Sequence, residues 1–409
     1  MKLLFVHDHL GEFGGAEANL HLTARELGRR GHSLALAYRS ATGRNEAEWR
    51  RTFTALFPLT EKVGPERTEA VLEHWAPDLV YLHSLADLDV IETLLGWGAP
   101  VVRMVHDHSL YCLRGYKYNY FTRKICTRPA SGFCVFPCLA SVGRNHGGPL
   151  PLRWNSYRQK RREIELNRQC DQVIVYSDYI KGELVRNGFD PGKIQTCVPL
   201  ALGEEEATPS FDAENLVLFA GQLIRGKGVD RLLQALSRLR SSFHCLILGD
   251  GNHRRRCEAE CRRLGLSDRV AFRGYVLPAE LRSFYLRATV FVMSSLWPEP
   301  FGLAGPEAMR YGLPVVAFDA GGIREWLQDG YNGFLVPWGD TQHFAERLDE
   351  LLQDKELARR LGRQARAWVR RYDSSLQVDD LEELFSRLAR QRCRGADRGF
   401  SVTEKPIRL

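Results

Sequence analysis

The sequence contains no apolar run approaching the roughly 20 residues that a spanning helix needs. Its start, Met1-Lys2-Leu3-Leu4-Phe5-Val6-His7-Asp8, meets charge before a leader-like stretch can build, so a cytoplasmic protein is expected. No Gly-x-Gly-x-x-Gly follows the first strand-like run, which argues against a nicotinamide-linked enzyme. No acidic cluster is suited to holding Mg²⁺ against a diphosphate, so chemistry that requires no cofactor is expected. Cys-x2-Cys knuckles and recognisable nucleic-acid motifs are also missing, and no nucleic-acid partner is expected. Without a leader, the ten cysteines point to reduced thiols or a metal site rather than a disulfide framework.

The 409 residues, 44% hydrophobic and 26% charged, suffice for two or three domains with sizeable cores and exclude a disordered or fibrous chain. Strand-like runs at Lys2 to His7, His32 to Tyr38, Asp78 to His83, Val101 to Val105, Gln172 to Ser177 and Lys193 to Val198 alternate with helical stretches. The alternation resumes with strands at Leu216 to Ala220, His244 to Leu248, Arg269 to Phe272, Val290 to Ser295 and Pro314 to Phe318. It implies βαβ units and parallel sheets. Between the two sets, Leu202 to Ser210 is acidic, small and Pro-containing, as an exposed connector would be. The expected division is residues 1–202, a linker 203–212, residues 213–372, a helix 373–390 and a mobile tail 391–409.

One stretch combines several chemical possibilities. Trp297-Pro298-Glu299-Pro300-Phe301-Gly302-Leu303-Ala304-Gly305-Pro306-Glu307 leads from a strand into a helix, at the sheet edge where open α/β folds bind ligands. Pro306 suits a first helical turn, and the amides of Phe301, Gly302 and Leu303 are left for an anion, for which phosphate is the natural guest. Elsewhere, Gly221 to Gly228 carries Arg225 and Lys227 at a helix start, a reasonable diphosphate clamp or a plain surface turn. Gly14 and Gly15 allow close approach of backbone to a ligand. His106-Asp107-His108 ends a strand, where an imidazole can donate to a sugar hydroxyl or can be structural.

These stretches resemble, in order and spacing, the retaining glycosyltransferases of family four. The resemblance runs from Lys2 to about Arg390 and is weakest across the cysteine-bearing segment. It implies a GT-B fold, α/β, with two Rossmann-like domains whose parallel sheets face a central cleft. The implied reaction moves a sugar from a nucleoside-diphosphate sugar to a hydroxyl acceptor with retention, of the hexosyl or N-acetylhexosaminyl type, in glycan, polysaccharide or glycolipid synthesis. Glu299 is then expected near the transferred sugar, Glu307 on the ribose and Lys227 against the leaving diphosphate. Gly14 and Gly15 would face that diphosphate, and His106 would lie beside the sugar, with Asp107 and His108 on the acceptor side. The loops at Gly249 and at Gly274, Tyr275 and Val276 would border the base. Gln222 departs from the family pattern, which has Arg there, and Arg225 is the expected substitute.

Ser109 to Gly148 is the least familiar part. Cys112, Cys126, Cys134 and Cys138 could close a tetrahedral structural zinc site, hold an iron–sulfur cluster, pair as disulfides or stay unligated. From Arg103 to Arg168 there are thirteen Lys/Arg against three acids, more positive charge than the net +7 of the whole chain. Pro151 to Arg168 reads as one basic helix, either a solvated face over a buried stripe or a membrane-surface element. A peripheral contact with the inner face of an anionic membrane, and a glycan, lipid-linked or small-molecule acceptor, are therefore expectations. Competing classes are an epimerase or phosphorylase of the same fold, and a zinc-containing nucleic-acid-binding protein.

Overall fold

The computed structural model describes residues 1–12, 14–59, 65–119, 121–144, 152–197, 207–211 and 214–396. Half of the expected linker (203–206 and 212), and the tail from residue 397, lie outside the described residues. The first half runs β1 (Lys2–Leu10), α1 (Gly15–Arg29), β2 (Ser33–Ala41), α2 (Glu46–Thr52), β3 (Ala55–Pro58), α3 (Pro65–Trp75), β4 (Leu79–Leu82), α4 (Leu88–Gly96) and β5 (Val101–Val105). It continues with β6 (Val142–Arg144), β7 (Leu152–Trp154), α5 (Tyr157–Asn167), β8 (Gln172–Val175), α6 (Asp178–Arg186) and β9 (Ile194–Thr196). The second half runs β10 (Leu216–Ala220), α7 (Val229–Leu236), β11 (His244–Leu248), α8 (Arg254–Arg263), β12 (Val270–Gly274), α9 (Pro278–Tyr285), β13 (Val290–Met293), α10 (Ala304–Arg310), β14 (Val315–Phe318) and β15 (Gly333–Val336). Three helices close the chain: α11 (Thr341–Gln353), α12 (Lys355–Val369) and α13 (Ser374–Ala396).

Two parallel sheets result, ordered β3-β2-β1-β4-β5-β8-β9 and β12-β11-β10-β13-β14-β15. Their inner strands are continuous apolar runs buried on both faces, as covering helices on each side require. In α7, Val229, Leu232, Leu233 and Leu236 form the one buried stripe, spaced i, i+3, i+4, i+7. Strand order reverses between β1 and β4 and between β10 and β13, and a crevice opens at the carboxyl ends of such pairs. The loops at Gly14, Gly221 and Glu299 all leave those ends, and His7 lies near the end of β1 itself.

The chain then crosses back. On α13, Phe385 packs edge-on against Tyr81 of β4 at 5.1 Å between centroids, and Glu382 lies 3.0 Å from both Arg30 and His32. One buried cluster therefore runs from Leu3 and Phe5 through Phe385 to Phe301 and Trp326 of the second half.

Two local expectations are corrected. The basic helix begins at Tyr157, not Pro151, because the Ser156 hydroxyl caps it by accepting from the Gln159 amide at 3.3 Å. Residues 152–154 instead form an antiparallel hairpin with 142–144. The final helix also runs six residues past Arg390, to Ala396.

The cysteine-bearing segment has little regular structure and is held by polar anchors. Lys117 and Glu183 of α6 form an ion pair at 2.7 Å with side chains 2% and 0% exposed. Breaking one partner of such a pair costs about 3–5 kcal/mol. Arg123 spans to the second half, donating to Asp230 of α7 at 2.6 and 3.0 Å.

Candidate active site

The loop after β13 is shaped by close approaches that exclude side chains. Gly321 has φ +71°, and a Cβ there would lie 2.4 Å from the Glu299 carbonyl oxygen. Gly305 rests on the Trp326 ring, whose nearest atom would be 2.1 Å from an added Cβ. The Glu299 amide donates to the Ala320 carbonyl at 3.1 Å, and its carbonyl accepts from the Gly322 amide at 2.7 Å. These two bonds fix the direction of the Glu299 side chain.

That carboxylate meets the residue expected from a different turn. Lys227 Nζ donates to Glu299 Oε1 at 2.7 Å, and the Ser295 hydroxyl donates to the same oxygen. Glu299 is 3% exposed. Burial alone would raise its pKa, but the Lys227 charge and the hydrogen bonds from Lys227 and Ser295 outweigh it and hold the carboxyl below the ordinary range. The Lys227 ammonium also stands 5.2 Å from the Trp297 ring centroid. A fixed cation thus faces the helix start, and the amides of Phe301, Gly302 and Leu303 make no hydrogen bond among the described residues. Gly302 has φ +84°.

The glycine loop of the first half lies opposite. A Cβ at Gly15 would come 3.4 Å from Leu303 Cδ1, so the two loops are in near contact across the cleft. Glu17, a residue not singled out from the sequence, holds the loop: its Oε2 accepts from the Gly14 amide at 3.0 Å. Against burial, His7 keeps that carboxyl ionised, 3.6 Å away. Further bonds bridge the halves: the Ser177 hydroxyl donates to the Pro300 carbonyl, and His108 Nε2 lies 2.7 Å from the Pro298 carbonyl.

Burial pushes the Glu307 carboxyl up, with Arg310 and Tyr285 offsetting part of the rise. Gly249 and Gly274 are joined by a 2.6 Å backbone bond, and a Cβ at Gly249 would sit 1.9 Å from the Gly221 carbonyl oxygen. Beside them Tyr275 is 69% exposed while Val276 packs into the central cluster. Arg225 begins a short 3₁₀ turn ending at Lys227, and its charge reaches His253. Gln222 is exposed.

The histidines are placed differently from expectation. His106 is 8% exposed with both ring nitrogens engaged inside the first half: Nε2 is 2.8 Å from His83 Nδ1, and Nδ1 is 2.7 Å from the Tyr176 hydroxyl. Tyr176 donates onward to Asn19 Oδ1 at 3.0 Å, so His106 carries its proton on Nδ1 and accepts from His83 through Nε2. Burial lowers His106 to about 3, and it is neutral. His108 is sealed rather than open to an acceptor: besides Pro298 it meets the Tyr111 hydroxyl at 2.6 Å and is wholly buried. The physical reason is the Pro298 carbonyl, which needs a donor where the two halves touch. Asp107 accepts from the Ser109 amide at 2.7 Å. His83, Asn19 and the adjacent pair Tyr176-Ser177 were missed because they come from three separate segments, with no shared spacing to signal them.

Cys112, Cys126, Cys134 and Cys138 line one cavity of about 190 Å³ within the insertion, and burial, then the proximity of the other three, pushes the Cys134 thiol up. Among the described residues no three His, Cys, Asp or Glu side chains are placed to hold a metal ion. A second cavity, about 470 Å³, lies apart from the cleft between Thr208 to Phe211 and the arginines of α12. It contains none of the residues just described.

Residues 204–368 match the family described as glycosyl transferases group 1, and residues 13–197 match glycosyltransferase family 4. An uncharacterized glycosyltransferase of Methanocaldococcus jannaschii is 34% identical over 145 residues, 35% of this chain and 37% of that one. Spore coat protein SA of Bacillus subtilis is 28% identical over 224 residues, 48% of this chain and 59% of that one. The chain thus spans about a third to three-fifths of the length of these relatives. Among solved structures, Anabaena HepE in complex with UDP and glucose superposes with a TM-score of 0.72 at 19% identity, covering 94% of this chain and 99% of that one. With both halves matched in sequence and the whole matched in architecture, the chain belongs to glycosyltransferase family four and has the GT-B fold.

Proposed function

We propose that the cleft transfers a sugar from a nucleoside-diphosphate sugar to a hydroxyl acceptor with retention at the anomeric carbon. The observation that carries this reading is the Lys227–Glu299 pair, set beside unbonded amides and facing Gly14 and Gly15. Lys227 and the amides of Phe301 to Leu303 offer positive charge where a diphosphate would leave, and preorganised charge of this kind is the main lever on such a step. Glu299, ionised and oriented, orders the sugar and stabilises positive charge growing at its anomeric carbon. Glu307 binds the ribose, and the Gly249 and Gly274 turns border the base through backbone groups. The presence of UDP with glucose in HepE supports a nucleotide donor of this class.

The bond from the anomeric carbon to the diphosphate oxygen breaks as the acceptor oxygen bonds to that carbon on the same face. The acceptor proton passes to the departing diphosphate. His106, neutral and hydrogen-bonded at both nitrogens, reaches a sugar hydroxyl by exchanging its bond to Tyr176. With the charge supplied by these groups, transfer proceeds without a metal cofactor.

The test is incubation of the protein with UDP-, GDP-, ADP- and dTDP-sugars and a panel of hydroxyl acceptors. A glycosylated product with the donor's anomeric configuration supports the reading. Free epimerised sugar or sugar phosphate, formed without a glycosylated acceptor, would overturn it.

A further inference from the structure

The insertion leaves an unusual surface. Of the fourteen large hydrophobic side chains exposed among the described residues, eight fall between Tyr116 and Trp154. Phe136 and Trp154 are 76% and 75% exposed. Leu139, Val142 and Trp154 form one ledge, since the Val142 amide donates to the Leu139 carbonyl at 3.3 Å and Val142 pairs with Trp154 across the β6–β7 hairpin, and Phe136 lies three residues before Leu139 in the chain. Residues two apart share a strand face, so Leu152 stands on the same side as Trp154 and Val142. The insertion has already buried what its own core needs, in Leu110, Tyr111, Leu113 and Tyr118. The aromatic groups on the ledge are surplus to folding.

The same insertion carries charge: Arg128 stands 4.0 Å over the Phe133 ring and, with Lys124, lines the cavity that Cys138 and Ala140 also line. Lys124, Arg128 and Arg158 are exposed and paired with no carboxylate among the described residues. Exposed apolar groups and unpaired cations on one insertion are complementary to the headgroup zone of an anionic bilayer, where aromatics bury their rings and cations meet phosphate. No described helix is long and apolar enough to cross a membrane, so attachment at this face would be interfacial. The insertion also borders the cleft: the Tyr116 ring lies 6.0 Å from Trp297, two residues before Glu299.

We infer that the insertion docks on an anionic lipid surface and thereby brings a lipid-borne hydroxyl acceptor to the cleft. The docking stands by itself, while the acceptor class rests on the glycosyl-transfer reading above. Two apolar groups lost from an interface weaken partitioning by roughly tenfold or more, and each cation lost weakens it about fivefold at low salt.

The experiment is co-sedimentation of the full chain with phosphatidylcholine vesicles and with vesicles also containing phosphatidylglycerol, at low and high salt. Binding is expected to the anionic vesicles only, to weaken with salt, and to fall about tenfold or more in F136S/W154S. K124E/R128E supplies an independent variant and should also lose binding. UDP-induced thermal shift, measured on the same samples, should be unchanged in both variants. Absence of binding to anionic vesicles, or equal binding by both variants and wild type, would overturn the docking. So would a salt-insensitive dimer that buries Phe136 and Trp154. If vesicles bind but no nucleotide does, the glycosyl-transfer reading fails while the docking stands.

Discussion

Replacing Lys227 by methionine keeps the aliphatic stem and removes the charge. In the wild type the ammonium sits 2.7 Å from a Glu299 oxygen, with side chains 20% and 4% exposed. Without it, burial becomes the dominant influence on Glu299, and the carboxyl rises from below its ordinary range to above it. Removing one partner of a buried pair costs about 3–5 kcal/mol, and the partial exposure of Lys227 places this case near the lower end. Loss of one preorganised charge on the leaving group should reduce kcat by about 10²–10³. Nucleotide binding draws mainly on other groups, so KM should move only a few-fold. The sign with pH follows from linkage. The depressed Glu299 contributes stability above the unfolded carboxyl value, and that contribution is lost as pH falls through the folded value. In Lys227→Met the contribution reverses, so K227M/E299Q should be more stable than K227M at neutral pH. Nucleoside-diphosphate release at saturating donor reads the first effect, and denaturant unfolding reads the second. A kcat within about threefold of wild type in a folded K227M would refute the electrostatic argument, as would a double variant no more stable than the single one.

Other consequences are equally direct. Gly321→Ala meets a positive φ and a carbonyl at 2.4 Å, so its melting point should drop by several degrees, equivalent to at least about 1–3 kcal/mol, with transfer activity falling alongside. Lys117→Met should cost about 3–5 kcal/mol and make the insertion sensitive to limited proteolysis, while K117M/E183L should recover much of the loss. His106 is lowered to about 3 from 6.5, so the unfolded chain binds more protons between those values. Stability should then fall by about 1.4 kcal/mol per pH unit as pH drops below 6.5, and less steeply in His106→Asn. Transfer should persist after exhaustive treatment with EDTA, and a rate restored only by added Mg²⁺ would contradict the charge assignment given to Lys227.

Much of this architecture is legible in the sequence, for reasons that also mark where legibility stops. Val101–Val105, Leu216–Ala220 and His244–Leu248 are strands in the structure as in the apolar pattern, because buried parallel strands carry uninterrupted apolar runs. Ala55–Pro58 is half-buried at a sheet edge between two short helices, and nothing periodic marks it. The Ser156 cap was a readable signal that the helical reading of residues 151–156 passed over. At the site, the glutamate pair and the Lys227 turn are visible through spacing, since each acts within one loop. The histidine net is not, because His83, His106, Tyr176 and Asn19 meet only after β4, β5, β8 and α1 are packed together. The same holds for Lys117, whose partner Glu183 lies on α6. The four insertion thiols line one cavity, as their clustering in the sequence hinted.

The central claim is that the Lys227–Glu299 pair, the amides of Phe301 to Leu303 and the Gly14–Gly15 turn together receive a sugar nucleotide. A crystal structure of the protein soaked with UDP and an intact nucleoside-diphosphate sugar tests this most directly. The account predicts a diphosphate against Lys227 Nζ and those three amides, with the sugar beside Glu299. Density for the nucleotide in the α12 arginine cavity, or anywhere outside the cleft, would contradict it.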